Sequence, residues 1–174
     1  AMTVSRPVGM RFDLGGMGKG WTVDRASDLL HGEGPFFLNA GGDIFAGGAP
    51  DHPSGWEVEI ENPLEPTDCI ARVRIRDRAL STSTIGKRRM LYYGRPVHQL
   101  IDPKRRDPPE TDVQSATVIN ARTAMAEVLA KTALILGSDA GLAFVEQWPD
   151  AEALIYTQGR QTRSTAGFEA YRAA

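Results

Sequence analysis

The chain of 174 residues holds one cysteine, Cys69, and three histidines. A lone thiol forms no internal disulfide, and so few soft ligands give no sign of a metal cluster. Cys69 reads as a small buried or half-buried residue rather than a nucleophile, because no histidine or lysine is arranged to activate it. Long apolar runs are missing too: none approaches the ~20 residues that span a bilayer. The start of the chain has no charged-then-apolar leader pattern. An excess of one charge is also absent. Twenty Lys and Arg stand against 22 Asp and Glu, a formal charge of −2. The basic residues form no long run, so nothing recommends a nucleic acid or an anionic membrane as partner.

What is present, 41% hydrophobic and 24% charged residues, suffices for one sizeable core and predicts a single domain over 1–174, soluble as it stands. Ala1-Met2 reads as a tag remnant before a start methionine, which leaves the natural N-terminus open upstream.

Periodicity organises the rest. Alternation in 8-VGMRFDL-14 predicts a strand running into glycines. From about Lys19 to Leu30 the apolar positions Val23, Ala26, Leu29 and Leu30 recur at helical spacing, and 32-GEG-34 stops them. A buried strand broken by Gly41-Gly42 is predicted over 36–50, with short strands near 56–61, 71–77 and 89–93. After the loop 98-HQLIDPKRRDPPE-110 come a strand at 114–120 and the strongest helix, 123–137, expected to bury Met125, Val128, Leu129, Thr132 and Leu136. A short helix near 139–147 and strands near 153–157 and 167–172 close the chain. The fold class is therefore α+β, a mainly antiparallel sheet with packed helices.

The stretch 13-DLGGMGKGWTVD-24 crowds glycines around Lys19. It is not a Walker loop, since Asp13 and Gly20 stand where a glycine and a Ser or Thr are required. It is not a dinucleotide fingerprint either, since Trp21 stands at the last glycine. The physics of an anion site survives both failures: glycines turn N–H groups outward, a helix start is positive, and Lys19 adds a mobile charge. A tight strand-to-helix turn with a solvated lysine is the alternative.

The ordered set DLGG-x-x-KG-x-x-x-D, 39-NAGGDIFAGG-48, 79-ALSTST-84 and 98-HQLIDP-103 resembles the FAD:protein FMN transferase family, the ApbE-like proteins once called thiamine-biosynthesis lipoproteins. The resemblance runs from about Arg11 to Gly137. It implies a tunnelling-fold-like architecture and an FAD site. Asp13, Gly15, Gly16, Gly18, Lys19 and Asp24 fall in the first flavin motif, with Lys19 near the diphosphate. Asn39, Gly41, Gly42 and Asp43 fall in the second, where turn-capping is an equal role for Asp43. The Ser81, Thr82 and Ser83 hydroxyls and amides match a cofactor-binding stretch, with a serine-rich turn as alternative.

The implied activity is transfer of FMN from FAD to a Thr or Ser hydroxyl of an acceptor protein. Two alternatives stand beside it: a weak or inactive FAD-binding member, and an FAD diphosphatase yielding FMN and AMP. A hydroxyl needs a base near neutral pH, and His98 is the candidate, with Asp102 orienting the loop and Pro103 stiffening it. The family loop reads H-x-x-D-P, however, which puts Gln99 rather than His98 in register. His31 and His52 read as loop or helix-end residues.

The resemblance also implies Mg²⁺, bound in typical members by an Asp and a Thr of A-D-A-L-A-T and by a backbone carbonyl equivalent to Gly18. This chain has 126-AEVLAK-131, with Glu127 and Lys131 at those positions, one helical turn apart. An ammonium is no metal ligand. Either Lys131 takes the metal's place, held by Glu127 against the diphosphate, or the two form a surface ion pair worth about 0.3–0.5 kcal/mol. In 84-TIGKRRM-90, Lys87, Arg88 and Arg89 either reach phosphates or coat a strand end. The resemblance further implies an N-terminal portion, expected to be absent from the chain as given, and a family that often works outside the cytoplasm as lipoproteins, though no lipobox cysteine stands near the start given.

Overall fold

The structure, a computed structural model, describes residues 3–50, 53, 55–86 and 89–173, with side chains for all but 89, 95 and 96 of these. His52, Lys87, Arg88 and the Arg89 side chain therefore lie outside the described residues.

In chain order the elements are α1 (Gly18–Leu30), β1 (Phe36–Asn39), β2 (Asp43–Gly47), β3 (Trp56–Glu61), β4 (Cys69–Ile75), β5 (Arg78–Thr84), β6 (Arg89–Tyr92) and β7 (Arg95–His98). They continue with β8 (Val113–Asn120), α2 (Thr123–Leu136), α3 (Ser138–Val145), β9 (Glu152–Thr157), β10 (Thr162–Ser164) and a closing 3-10 helix (Ala166–Tyr171). The main sheet has six strands in the order β1-β2-β5-β8-β9-β10, with every neighbouring pair antiparallel. β8 is buried at every position, because both faces of the sheet are covered.

Two apolar clusters make these layers. On one face Ala79, Ala116, Val118 and Ile155 pack against Ala126, Leu129, Ala130, Ala133 and Leu134 of α2 and Leu142 and Val145 of α3. On the other, Ile44, Leu80, Ile119 and Leu154 meet Val58, Ile60, Val73 and Ile75 of the β3–β4 hairpin, closed by Phe168. The observed class is α+β with a mainly antiparallel sheet. Among the described residues no helix is long and apolar enough to cross a membrane.

Three expectations are corrected. No strand forms over 8–14: Phe12 and Leu14 stay exposed, and alternation without a partner strand gives no ladder of hydrogen bonds. Residues 167–171 form not a strand but part of the 3-10 helix, whose single anchor, Phe168, is fully buried, and only Arg172 keeps a β-bridge, to Val73. The α2 helix buries Ala126, Leu129, Ala130, Ala133 and Leu134, while Val128 and Leu136 are exposed. Leu129 is buried as expected and Met125 packs half-buried against the cluster; small residues let α2 approach the sheet closely, and Val128 and Leu136 point away. The break expected at Gly41-Gly42 is the turn of the β1–β2 hairpin. Strands β5, β7 and β10 add to the expected set; β5 is polar, and its Ser and Thr residues obscured its period.

Candidate functional site

The site forms where α1 begins against α2. The Asp13 carboxylate accepts the Gly15 N–H at 2.7 Å, a local turn that leads the chain into the helix. No side chain of the preceding residue, Met17, caps α1. A carboxylate from another helix serves instead: Glu127 Oε2 accepts the Gly20 N–H at 2.8 Å. This satisfies a first-turn donor and sets a negative charge at the positive helix end. The approach requires glycine, since a Cβ at Gly20 would lie 2.7 Å from the backbone of Thr123 and Ala124.

Glu127 is only 1% exposed, and its other oxygen accepts from Lys131 Nζ at 2.8 Å. Lys19 Nζ stands 4.0 Å from that same oxygen and pairs with Asp43, whose side chain is 3% exposed. Two buried carboxylates thus hold two ammonium groups. The pair Glu127–Lys131 is not a surface pair. Lys19 is 45% exposed and Lys131 21%, and both line a cleft of about 520 Å³ together with Gly15, Gly16, Gly41, Thr82 and Gln99.

The β1–β2 turn also lines the cleft, through Gly41. Asn39 Oδ1 accepts the Gly42 N–H at 2.9 Å, and Gly41 and Gly42 take φ of +66° and +94°, the left-handed region that favours glycine. A Cβ at either would meet nothing within 4 Å, so backbone angle rather than room within the chain is what these glycines satisfy. A second groove of about 340 Å³, lined by Asn39, Gly42, Ile60 and Leu80 among others, shares Gly41, Thr82 and Thr84 with the first.

The sequence-predicted residues separate at this point. Asp13, Gly15, Gly16, Lys19, Gly41, Asp43, Thr82, Ser83 and Lys131 line the main cleft, with Glu127 beneath Lys131. Ser81 is buried, and its hydroxyl has no hydrogen-bond partner among the described residues. Gly18 lies in the first turn of α1, where its carbonyl accepts the Thr22 hydroxyl at 2.8 Å. Asp24 is buried and accepts the Thr123 and Ala124 N–H groups at 2.7 and 3.2 Å, so it caps the start of α2 from α1. Beside it Arg122 bonds Asp28 at 2.8 Å. That hydrogen bond holds the Asp28 carboxyl below its ordinary range and raises Arg122.

His98 ends β7 and is not among the described cleft-lining residues, whereas Gln99, Leu100 and Ile101 are. Its Nδ1 accepts the Leu100 N–H at 3.3 Å, which assigns the proton of the neutral ring to Nε2. Asp102 accepts the Lys104 N–H at 2.8 Å and bridges to Asp107, tying the following turn. Gly20 stands in the KG of the first motif, where sequence reasoning gave it no role; its part in seating α1 against α2 shows only in the fold.

A model of the ApbE family matches residues 2–155. The chain belongs to that family. It is 31% identical over 170 residues to an FAD:protein FMN transferase of Treponema pallidum, covering 91% of this chain and 47% of the relative. Against an FAD:protein FMN transferase of Klebsiella pneumoniae it is 26% identical over 155 residues, 87% of this chain and 47% of that one. The crystal structure of the ApbE protein of Thermotoga maritima superposes with a TM-score of 0.85 at 25% identity, over 96% of this chain and 55% of that one. The apo Pseudomonas stutzeri flavinyl transferase ApbE gives 0.76 at 25% identity, over 94% and 52%. The chain thus spans about half the length of the curated relatives it matches.

The donor set fits poorly the Mg²⁺ that the sequence resemblance implies. Both Glu127 oxygens are engaged, by Gly20 and Lys131, and the Gly18 carbonyl by Thr22. Asp43 is bound to Lys19. An ion reaching Glu127 Oε1 would meet the Lys131 ammonium, which repels it and offers no lone pair.

Proposed function

We propose that this chain binds FAD and transfers its FMN moiety to a Thr or Ser hydroxyl of an acceptor protein, the flavinylation reaction its relatives are named for. The observation that carries this reading is the convergence of Lys19, Lys131, the glycine turn and the α1 N-terminus on one cleft. A dinucleotide diphosphate bears two negative charges, and such a cluster of ammonium groups and backbone donors suits it. The adjoining groove, continuous through Gly41 and Thr82, offers room for a second part of the dinucleotide.

In the transfer, the acceptor hydroxyl oxygen attacks the FMN-side phosphorus. A new phosphoester P–O bond forms, the P–O–P bridge breaks, and AMP leaves with the bridging oxygen. The hydroxyl proton passes to a base. His98 takes that role in this reading, next in sequence to the cleft-lining Gln99, with Asp102 tying the loop that follows it. Because Nδ1 already accepts from Leu100, receiving a proton requires the ring to give up that contact.

A second reading is favoured by one observation: an amide, Gln99, rather than an imidazole lines the cleft, and an amide is no base. In that reading FAD is bound and not turned over. FAD, the chain and a peptide bearing an acceptor threonine, assayed together for AMP and labelled peptide, separate the possibilities. AMP with labelled peptide supports the transferase. AMP alone indicates hydrolysis, with water as acceptor. Bound FAD with neither product indicates the binding-only member.

A further inference from the structure

We infer that Lys131 is a built-in counter-charge for the FAD diphosphate, so that this cleft binds the dinucleotide without a divalent cation. The inference rests on the FAD reading above.

The arrangement of charge at the cleft floor leads to it. Glu127 is too buried to be left without partners, since an unpaired carboxylate at that depth carries a large desolvation cost. Its partners are both cationic or polar donors of this chain: the Gly20 N–H and the Lys131 ammonium, each at 2.8 Å. Lys19 stands 4.0 Å from the oxygen that Lys131 uses. Divalent magnesium demands near-octahedral oxygen ligation at about 2.0–2.1 Å. Here it would have to displace one of those two donors and sit beside two ammonium groups. Among the described residues no three Asp, Glu, His or Cys side chains converge to outweigh that repulsion.

The same geometry suits an anion. Lys131 gives Glu127 one of its three N–H donors, and the side chain lines the cleft, leaving donors for a phosphoryl oxygen. The carboxylate holds the ammonium at a fixed height on α2, one turn above itself, so little side-chain freedom is lost on binding. Lys19, held by Asp43, offers a second ammonium beside it, 4.0 Å from the Glu127 oxygen that Lys131 uses. Two cations and the N-terminus of α1 thus face a dianionic group.

The test is equilibrium FAD binding, followed by flavin fluorescence, in excess EDTA and in millimolar Mg²⁺. The affinity is expected to differ by less than about twofold between the two buffers. A tenfold or greater weakening in EDTA, restored by Mg²⁺, overturns the inference while leaving the FAD reading intact. Failure to bind FAD in either buffer overturns the FAD reading and this inference with it. In Lys131→Thr, checked for folding by its thermal transition, metal-free binding is expected to fall at least tenfold, with part recovered by Mg²⁺ as Glu127 is released. Lys131→Arg, which keeps the charge, is expected to retain more metal-free FAD binding than Lys131→Thr. Unchanged metal-free binding in Lys131→Thr overturns the assignment.

Discussion

Glu127 Oε2 accepts the N–H of Gly20 at 2.8 Å, across 107 positions of sequence. This bond joins the start of α1 to the middle of α2, and it places the Glu127–Lys131 pair at the cleft floor. Gly20→Ala would set a methyl group 2.7 Å from the backbone of Thr123 and Ala124. The helices must then separate, at a cost of about 1–3 kcal/mol. We expect a lowered urea midpoint together with FAD binding weakened beyond what the unfolded fraction accounts for. An unchanged midpoint would contradict the close approach.

Asp24 acts on the same helix pair. Its carboxylate caps α2 through Thr123 and Ala124 and stands 3.4 Å from Arg122 Nε. Asp24→Ala leaves two helix-start donors unsatisfied and is expected to cost about 2 kcal/mol in urea unfolding. Asp24→Asn keeps an acceptor and should cost visibly less; equal losses would show that the hydrogen bonds are not what matters.

Asp112 links stability to pH. It accepts the Ser138 N–H at 2.9 Å and the Ser138 hydroxyl, and the hydroxyl bond is the main reason its carboxyl lies below its ordinary 3.8. A carboxyl lowered on folding adds stability that is full above the unfolded value and is lost as pH falls through the lower folded one. Thermal midpoints should therefore fall more steeply below about pH 4 in the wild type than in Asp112→Asn, which lacks this titration. Parallel curves for the two proteins would remove Asp112 from the account.

Gln99 sits on the cleft wall, at the position to which the resemblance in the 98–103 loop assigns a histidine. If a base limits turnover, Gln99→His should raise AMP release at least about tenfold, within the roughly 10²–10⁴-fold that general bases contribute. FAD binding should stay unchanged. No rise with intact FAD binding would place the limit elsewhere.

Much of this was legible in the sequence, for identifiable reasons. The helix at 18–30 and the one at 123–136 announced themselves through apolar spacing and glycine stops. The cleft residues Lys19, Gly41, Asp43 and Thr82 came from ordered motifs rather than from periodicity. What was hidden depends on contacts across long separations. Gly20 looks like one more loop glycine until Ala124 is packed against it. That Asp24 caps α2 is invisible until Thr123 is seen to donate to it. The buried face of α2 was misread because Ala126, Ala130 and Ala133 contribute little hydrophobic signal yet permit the closest packing. Phe12 and Leu14 alternate like a strand, but no neighbouring strand completes a ladder for them.

If the cleft floored by Lys19 and Lys131 takes the diphosphate of FAD, calorimetric titration of FAD and of riboflavin into the wild type and Lys19→Ala will show it. FAD is expected to bind at least tenfold more tightly than riboflavin, and Lys19→Ala to erase most of that difference without weakening riboflavin. Equal affinities for the two flavins in the wild type, or FAD binding indifferent to Lys19, would contradict that placement of the diphosphate.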